Sequence, residues 1–340
     1  PEAELLAVMK HVRFAAMAAV FLRETVGAWP ALHSMEAQRM LFNAVLPAVD
    51  GVKPVPRSGC GPRFIYVLGG YGHGNSSIST AELYDPQNAS WKQLACMAGP
   101  RSMHGCVALE GKLYAVGGFG ADSRALDTAE VYDPQTDGWQ PLAKMATARC
   151  ALGLAAVGGK IYALGGCDDD STLESVEAYD PQLGTWALVA SMSGKRAHHA
   201  SVVLDGKIYV VGGIGVRGGT LDMVEVYDPQ ADSWQRVASM PRGLYDHAAA
   251  AMGGKIYVTG GNGLSNSVYV YDPQADAWTP LASMGMARQQ HASAAMGGKL
   301  YVFGGHGARG TAEVYDPASD SWAQALSLTS PRHSMVAVAL

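Results

Sequence analysis

Four histidines, His104, His199, His247 and His291, recur at one place in a repeated pattern. Four imidazoles around an axis are a candidate metal ring. Zinc, however, needs its ligand atoms about 2.0–2.1 Å from the ion, and equivalent positions in adjacent repeats stand several ångströms apart. They are therefore read as packing residues, and no metal or cofactor is expected. Cys150 and Cys167 fall on neighbouring loops of one repeat, with His198 in the next. Two thiols beside an imidazole are a candidate reactive pair, and two ordinary thiols are the alternative. Asp246-His247 is the nearest approach to a general acid/base pair, but His247 belongs to the repeat and has no nameable third partner. The glycine-rich stretch Gly70–Gly74 is not followed by a helical pattern, which argues against phosphate binding. No constellation breaks the repeat, so no catalytic residue is assigned and no enzyme is expected.

The elements that position these residues are set by Gly-Gly pairs at Gly69, Gly117, Gly165, Gly212, Gly260 and Gly304, spaced roughly 44–48 residues apart. Each closes a short apolar run such as Ile208–Val211. Each is followed by Tyr-Asp-Pro and a Trp, as in Tyr227-Asp228-Pro229 with Trp234. A unit of this length with several short strands predicts an all-β, six-bladed β-propeller. In one unit, Ala200–Leu204 reads as strand a and Lys207–Val211, after the Asp205-Gly206 turn, as strand b. Val224–Tyr227 reads as strand c and Trp234–Ala238 as strand d. Blades must stack to bury both faces, with the Tyr and Trp rings carrying the largest apolar area. The methionines Met97, Met145, Met192, Met240 and Met284 read as core filling.

Strand a opens with an Arg and strand c carries a Glu: Arg101 with Glu130, Arg149 with Glu177, Arg196 with Glu225, Arg288 with Glu313. Unit 5 has Leu244 and Tyr269 instead, losing both together. An ion pair reaching across the side-chain-free glycines is the inference, with an apolar contact in its place in blade 5. The first unit lacks strand a, and 331–340 reads as a strand a with nothing after it. The C-terminus should thus complete blade 1, pair Arg332 with Glu82, and remove two open sheet edges.

Bulk properties exclude several classes. A net charge of -5 over 340 residues gives no nucleic-acid or polybasic membrane signature. No apolar run approaches the roughly 20 residues needed to span a bilayer. Five cysteines without a Cys-x-x-Cys favour a reducing, cytoplasmic setting.

These motifs resemble the kelch repeat over about 63–340. The N-terminal stretch adds a second resemblance: Val12-Arg13-Phe14, Phe21-Leu22, Met40-Leu41 and Pro47 are similar to the last helices of a BACK domain, with Ala15 where that family usually has proline. Residues 1–47 are accordingly expected to form a short α-helical BACK remnant, 48–62 a Pro/Gly linker, and 63–340 the propeller. The combination resembles the BTB-BACK-kelch adaptors of cullin-3 ubiquitin ligases. It implies a protein or peptide substrate held on the loop face, and cullin-3 engaged only through a BTB domain absent from this chain. A cytoskeletal, actin-binding scaffold is the alternative.

The resemblance also carries over a ligand-binding rim. Residues after Gly-Gly give Tyr71, Phe119, Cys167, Ile214, Asn262 and His306. Those after the strand-a Arg give Ser102 and Met103, Cys150, His198, Tyr245 and Asp246, Gln289 and Gln290, and His333 and Ser334, with Ala151 and Ala197 at the same places. Six residues past the glycines lie Ser76, Arg124, Thr172 and Gly219. These positions differ between repeats while the framework is alike, the expected mark of a recognition face. The rim mixes basic residues (Arg124, Arg217, Arg309, His73, His306), acidic ones (Asp122, Asp168–Asp170, Asp222, Asp246) and aromatic anchors (Tyr71, Phe119, Tyr245). Its loops are shorter in repeats 5 and 6, so the rim should be low there.

Overall fold

Blade 4 shows how the repeat folds. Ala200–Leu204 and Lys207–Val211 pair antiparallel through the Asp205-Gly206 turn, whose residues sit at φ 50° and 73°. Val224–Asp228 and Ser233–Val237 complete the sheet in the order a-b-c-d. Strand b is buried on both faces, whereas strand d exposes Ser233, Gln235 and Arg236, as an outermost strand should. A computed structural model describes residues 63–340, and the expected helices of 1–47 and the linker 48–62 lie outside the described residues. Within 63–340 there are six such four-stranded sheets. Each innermost strand touches those of the two adjacent blades, which closes the ring. Among the described residues no helix is long and apolar enough to cross a membrane.

The ring is shut by the C-terminus. Val336–Ala339 pairs antiparallel with Ile65–Leu68, matching Ile65 with Ala339 and Leu68 with Val336. Arg332 donates to Glu82 at 2.6 Å, both fully buried. The other four expected ion pairs form at 2.5–3.0 Å. In blade 5, Leu244 is 1 % exposed in an apolar cluster against which Tyr269 packs.

The glycine pairs have a different reason from the one expected. Arg101 does lie along Gly117, donating through Nη1 to its carbonyl at 3.0 Å. What excludes a side chain is main chain. Gly117 and Gly118 sit at φ +64° and +95°, where L-residues are strained. A Cβ on Gly117 would lie 2.5 Å from the Arg149 carbonyl of the next blade, and one on Gly118 2.7 Å from the Ser102 carbonyl of its own. The Gly118 N–H donates to that same Arg149 carbonyl at 2.7 Å. Each pair is thus a seam where consecutive blades touch backbone to backbone.

A second lock ties blades at their outer edge. Asp232 accepts from the Tyr227 hydroxyl at 2.6 Å and from the Ala190 N–H of blade 3 at 2.9 Å. The Trp234 indole N–H donates back to the Ala190 carbonyl. The same arrangement recurs with Asp137, Asp276 and Asp320. Blades 1 and 3 have Ala89 and Gly184 at that place. At the closing seam the Tyr84 hydroxyl meets the Leu326 backbone instead, and the Trp91 indole N–H is buried without a partner.

Candidate functional site

The loop face is organised by a closed ring of backbone hydrogen bonds. Ala151 donates to Met103, His198 to Ala151, Asp246 to His198, Gln290 to Asp246, Ser334 to Gln290, and Met103 back to Ser334, at 2.7–3.0 Å. One residue from each blade takes part, and all six adopt φ between 50° and 56°. The left-handed region is uncommon for residues other than glycine. Six equivalent cases around one axis mean that closing this ring outweighs their backbone cost, of order 1–2 kcal/mol each. No repeat motif announces it, because every member is a different residue type.

Just outside the ring, each residue of the first predicted set meets the first residue of a pair in the second set, whose other members are the ring itself. Isolated antiparallel bridges join Tyr71 to His333, Phe119 to Ser102, Cys167 to Cys150, Ile214 to Ala197 and His306 to Gln289. The Asn262 N–H donates to the Tyr245 carbonyl at 2.9 Å. The third set folds back over them, with Cys167 bridged to Thr172 and the Ser76 and Arg124 carbonyls accepting from Gly72 and Gly120. Exposure divides these residues. Arg124 is exposed, and Tyr71, Phe119, Ile214, Tyr245 and His306 are partly so. Ser102, Cys150, His333 and Ser334 are buried, because the bridging loops cover them, and in this conformation a partner cannot reach their side chains.

The rim is uneven as the loop lengths predict. The b–c connections 260–267 and 304–311 are shorter than 69–80, 117–128, 165–175 and 212–223. Over the low side a side-chain network spans blades 4 to 1. His198 Nδ1 lies 2.7 Å from Asp246 Oδ1, Gln290 donates to Asp246 Oδ2 at 3.1 Å, and Gln290 Oε1 accepts from Ser334 and faces His333 Nδ1 at 3.1 Å. Burial pushes the His198 ring down. The hydrogen bond and charge of Asp246 outweigh it and leave His198 raised. The His306 and His333 rings pack at 3.8 Å with Tyr71 beside them. Burial, then the Arg309 charge, lowers His306. Burial, then His306 and Arg309, bring His333 to about 4. Contrary to the expectation of a basic His306, that corner is aromatic and neutral at pH 7, with Arg309 as its cation.

The repeat-position histidines are packing residues. His104, His247 and His291 approach the first glycine of the preceding blade, where a Cβ would lie 2.6–3.1 Å from each ring. Burial lowers His104 and His291 to about 3 and His247 to about 4, so all are neutral. Among the described residues no cluster of three or more His, Cys, Asp or Glu could hold a metal ion. The Asp246-His247 pair divides: Asp246 faces His198 and Gln290, while both His247 nitrogens are buried without partners.

Two family models match the chain. The Attractin/LZTR1 β-propeller matches residues 113–338, and the kelch motif matches residues 65–98. The chain belongs to the Attractin/LZTR1 β-propeller family. The kelch match begins at strand b of blade 1, where the C-terminal strand docks. Kelch propellers of this kind are typically protein–protein interaction modules.

Proposed function

We propose that the propeller recognises a protein or peptide on this loop face, as the substrate-binding part of a cullin-3 ubiquitin ligase adaptor working in the cytoplasm. The observation that carries the recognition half is the backbone ring. Six main-chain hydrogen bonds close it whatever the residue types, so the side chains around it can differ from blade to blade, and they do. Tyr71, Phe119 and Tyr245 offer aromatic anchors, and Arg124 and Arg309 offer charge-assisted hydrogen bonds of about 1.5–3 kcal/mol each. A peptide enters over the low side at blades 5 and 6 and reaches toward the higher loops opposite. The cullin half rests on the resemblance of the N-terminal stretch to BACK helices. In the assembled adaptor, a BTB domain outside this chain would hold the cullin.

The test is affinity capture with the chain and with a variant carrying Tyr71→Ala, Arg124→Ala and Tyr245→Ala. Partners should be lost from the variant and kept by Lys207→Ala, whose surface ion pair with Asp228 lies at the far end of blade 4. Identical partners on all three proteins would refute the rim assignment. For the ligase half, a captured protein should accumulate in cells when cullin-3 is depleted. A partner that co-sediments as filaments and keeps its lifetime would favour a cytoskeletal scaffold instead.

A further inference from the structure

Blade 3 alone carries cysteine at both bridge positions of the rim. The equivalent pairs elsewhere are Phe119 with Ser102, Ile214 with Ala197, Asn262 with Tyr245, His306 with Gln289, and Tyr71 with His333. Cys150 and Cys167 exchange both backbone hydrogen bonds, at 2.8 and 2.9 Å, and their sulfurs lie 2.9 Å apart as free thiols. Directly opposed residues in such a pair have Cα atoms about 5.5 Å apart. That is inside the span a disulfide bridges without backbone movement, about 4.4–6.8 Å. Cys150 is fully buried, whereas Cys167 is partly open to solvent. One thiol can meet a reagent and the other can only meet its neighbour.

We propose that Cys167 and Cys150 form a redox-active dithiol that a small neutral hydroperoxide oxidises to an intramolecular disulfide. Cys167 is the nucleophile. Its thiolate attacks one peroxide oxygen and the O–O bond breaks. The leaving oxygen departs as alkoxide or hydroxide and takes a proton from solvent. The product is a sulfenic acid on Cys167. Cys150 then attacks that sulfur, the S–OH bond breaks, and the Cys150 proton leaves with hydroxide as water. The two sulfurs lose two electrons, and the hydroperoxide gains them and becomes an alcohol or water.

The surroundings favour this division of labour. The hydrogen bond from Cys150 lowers Cys167 to about 7. Burial works against it, the His198 charge assists, and Asp168 and Asp169 oppose. Cys150 is pushed far up by the same hydrogen bond and by burial, so it stays a thiol and gives up its proton only as the S–OH bond breaks. His198 is held toward its charged form by Asp246, 2.7 Å away. The loop carboxylates also select the oxidant. Asp168 is fixed by accepting from the N–H groups of Asp170 and Ser171, and Asp169 by accepting from Ala125 N–H of blade 2. Fixed negative charge beside Cys167 repels anionic oxidants such as oxidised glutathione and leaves an uncharged peroxide unhindered.

The test uses the intact, pre-reduced chain treated with hydrogen peroxide. The expected product is 2 Da lighter, with a Cys150–Cys167 cross-link in non-reducing peptide maps. A thiol held toward its thiolate beside a partner thiol should be oxidised before an isolated one, so Cys167 should react before the exposed Cys96. Cys150→Ser should trap the sulfenic acid on Cys167 for dimedone labelling. His198→Gln should move the alkylation midpoint of Cys167 to higher pH. The pair Cys150→Ala with Cys167→Ile copies blade 4, keeps the fold, and should form no cross-link. Cys96 reacting first, a cross-link that never forms in the wild-type chain, or a glutathione adduct forming faster than the internal disulfide would each overturn the proposal.

Discussion

Blade 5 makes a prediction about every other blade. In blade 3, Arg149 is fully buried and donates to the Gly165 and Ser175 carbonyls, the Ser175 hydroxyl and Glu177, at 2.9–3.0 Å. Glu177 in turn accepts from the N–H groups of Ala146 at 2.7 Å and Thr147 at 3.1 Å. Arg149→Leu strands a buried carboxylate and should cost about 3–5 kcal/mol. Glu177→Tyr alone strands the guanidinium and should cost about as much. Together they recreate the Leu244/Tyr269 pair of blade 5, and no charge is left unpaired. The double variant should then lose less than the sum of the singles, with a coupling of about 2–3 kcal/mol. It still orphans two donors, the Thr147 N–H and the shorter-bonded Ala146 N–H, the latter at about 1–3 kcal/mol. Blade 5 removes that donor as well, because Pro241 stands where Ala98, Ala146, Ser193 and Gly285 donate to a glutamate. Adding Ala146→Pro should therefore stabilise the double variant while destabilising the wild type. Urea unfolding followed by tryptophan fluorescence reads all of these. Additive single effects, or an Ala146→Pro that destabilises both backgrounds alike, would refute the reasoning.

Three further outcomes are expected. Ala89→Asp restores the missing lock at the closing seam, at a residue already held at φ 45° like Asp320; it should stabilise by about 1 kcal/mol through one added hydrogen bond, read as a higher urea midpoint. The Tyr227 hydroxyl and then the Ala190 N–H hold Asp232 below the usual carboxylate range. A depressed carboxyl stabilises fully above about pH 4 and loses that contribution as pH falls through its folded value, so Asp232→Asn should flatten the acid limb of a stability–pH curve. Neutral buried His104, His247 and His291 act from about pH 6.5 downward: the unfolded chain takes up protons that the folded one refuses until about pH 3–4. Each can steepen the loss of stability by up to about 1.4 kcal/mol per pH unit, and His104→Leu, copying Leu152 of blade 3, should remove its share in denaturation measured at pH 5.

What could be read from the chain was whatever the six units share. Gly-Gly and Tyr-Asp-Pro recur in all six and the Arg–Glu partners in five, each repetition strengthens the reading, and matching strands to units leaves the terminal strand to complete the first. Comparison of repeats even located the exception at Leu244 and Tyr269. Pro241 belongs to that exception and escaped notice, because its meaning depends on an N–H bond that only three dimensions display. The aspartates Asp137, Asp232, Asp276 and Asp320 escaped because they bind the blade before their own. The rim was legible as a set of places through the family resemblance, but not as an arrangement. Burial of Ser102 and His333 beneath their bridges, and the neutral state of His306, depend on packing across blades that no single repeat encodes.

The backbone ring explains how one surface can be both a closure of the fold and different in side chain from blade to blade. Met103, Ala151, His198, Asp246, Gln290 and Ser334 share a conformation and a hydrogen-bond partner but no side-chain chemistry. Every non-glycine residue there carries a backbone cost of order 1–2 kcal/mol, least for Asn, Asp and His and most for β-branched residues, so exchanges among unbranched residues change the backbone ring little. The Arg–Glu pairs, by contrast, close through side chains, and they vary only when several residues change in concert, as in blade 5. Recognition can therefore diverge one residue at a time along the mouth, while the interior must move in groups. Single exchanges on the exposed rim such as Arg124→Ala should alter partner binding far more than folding, whereas single exchanges at Arg149 should do the reverse.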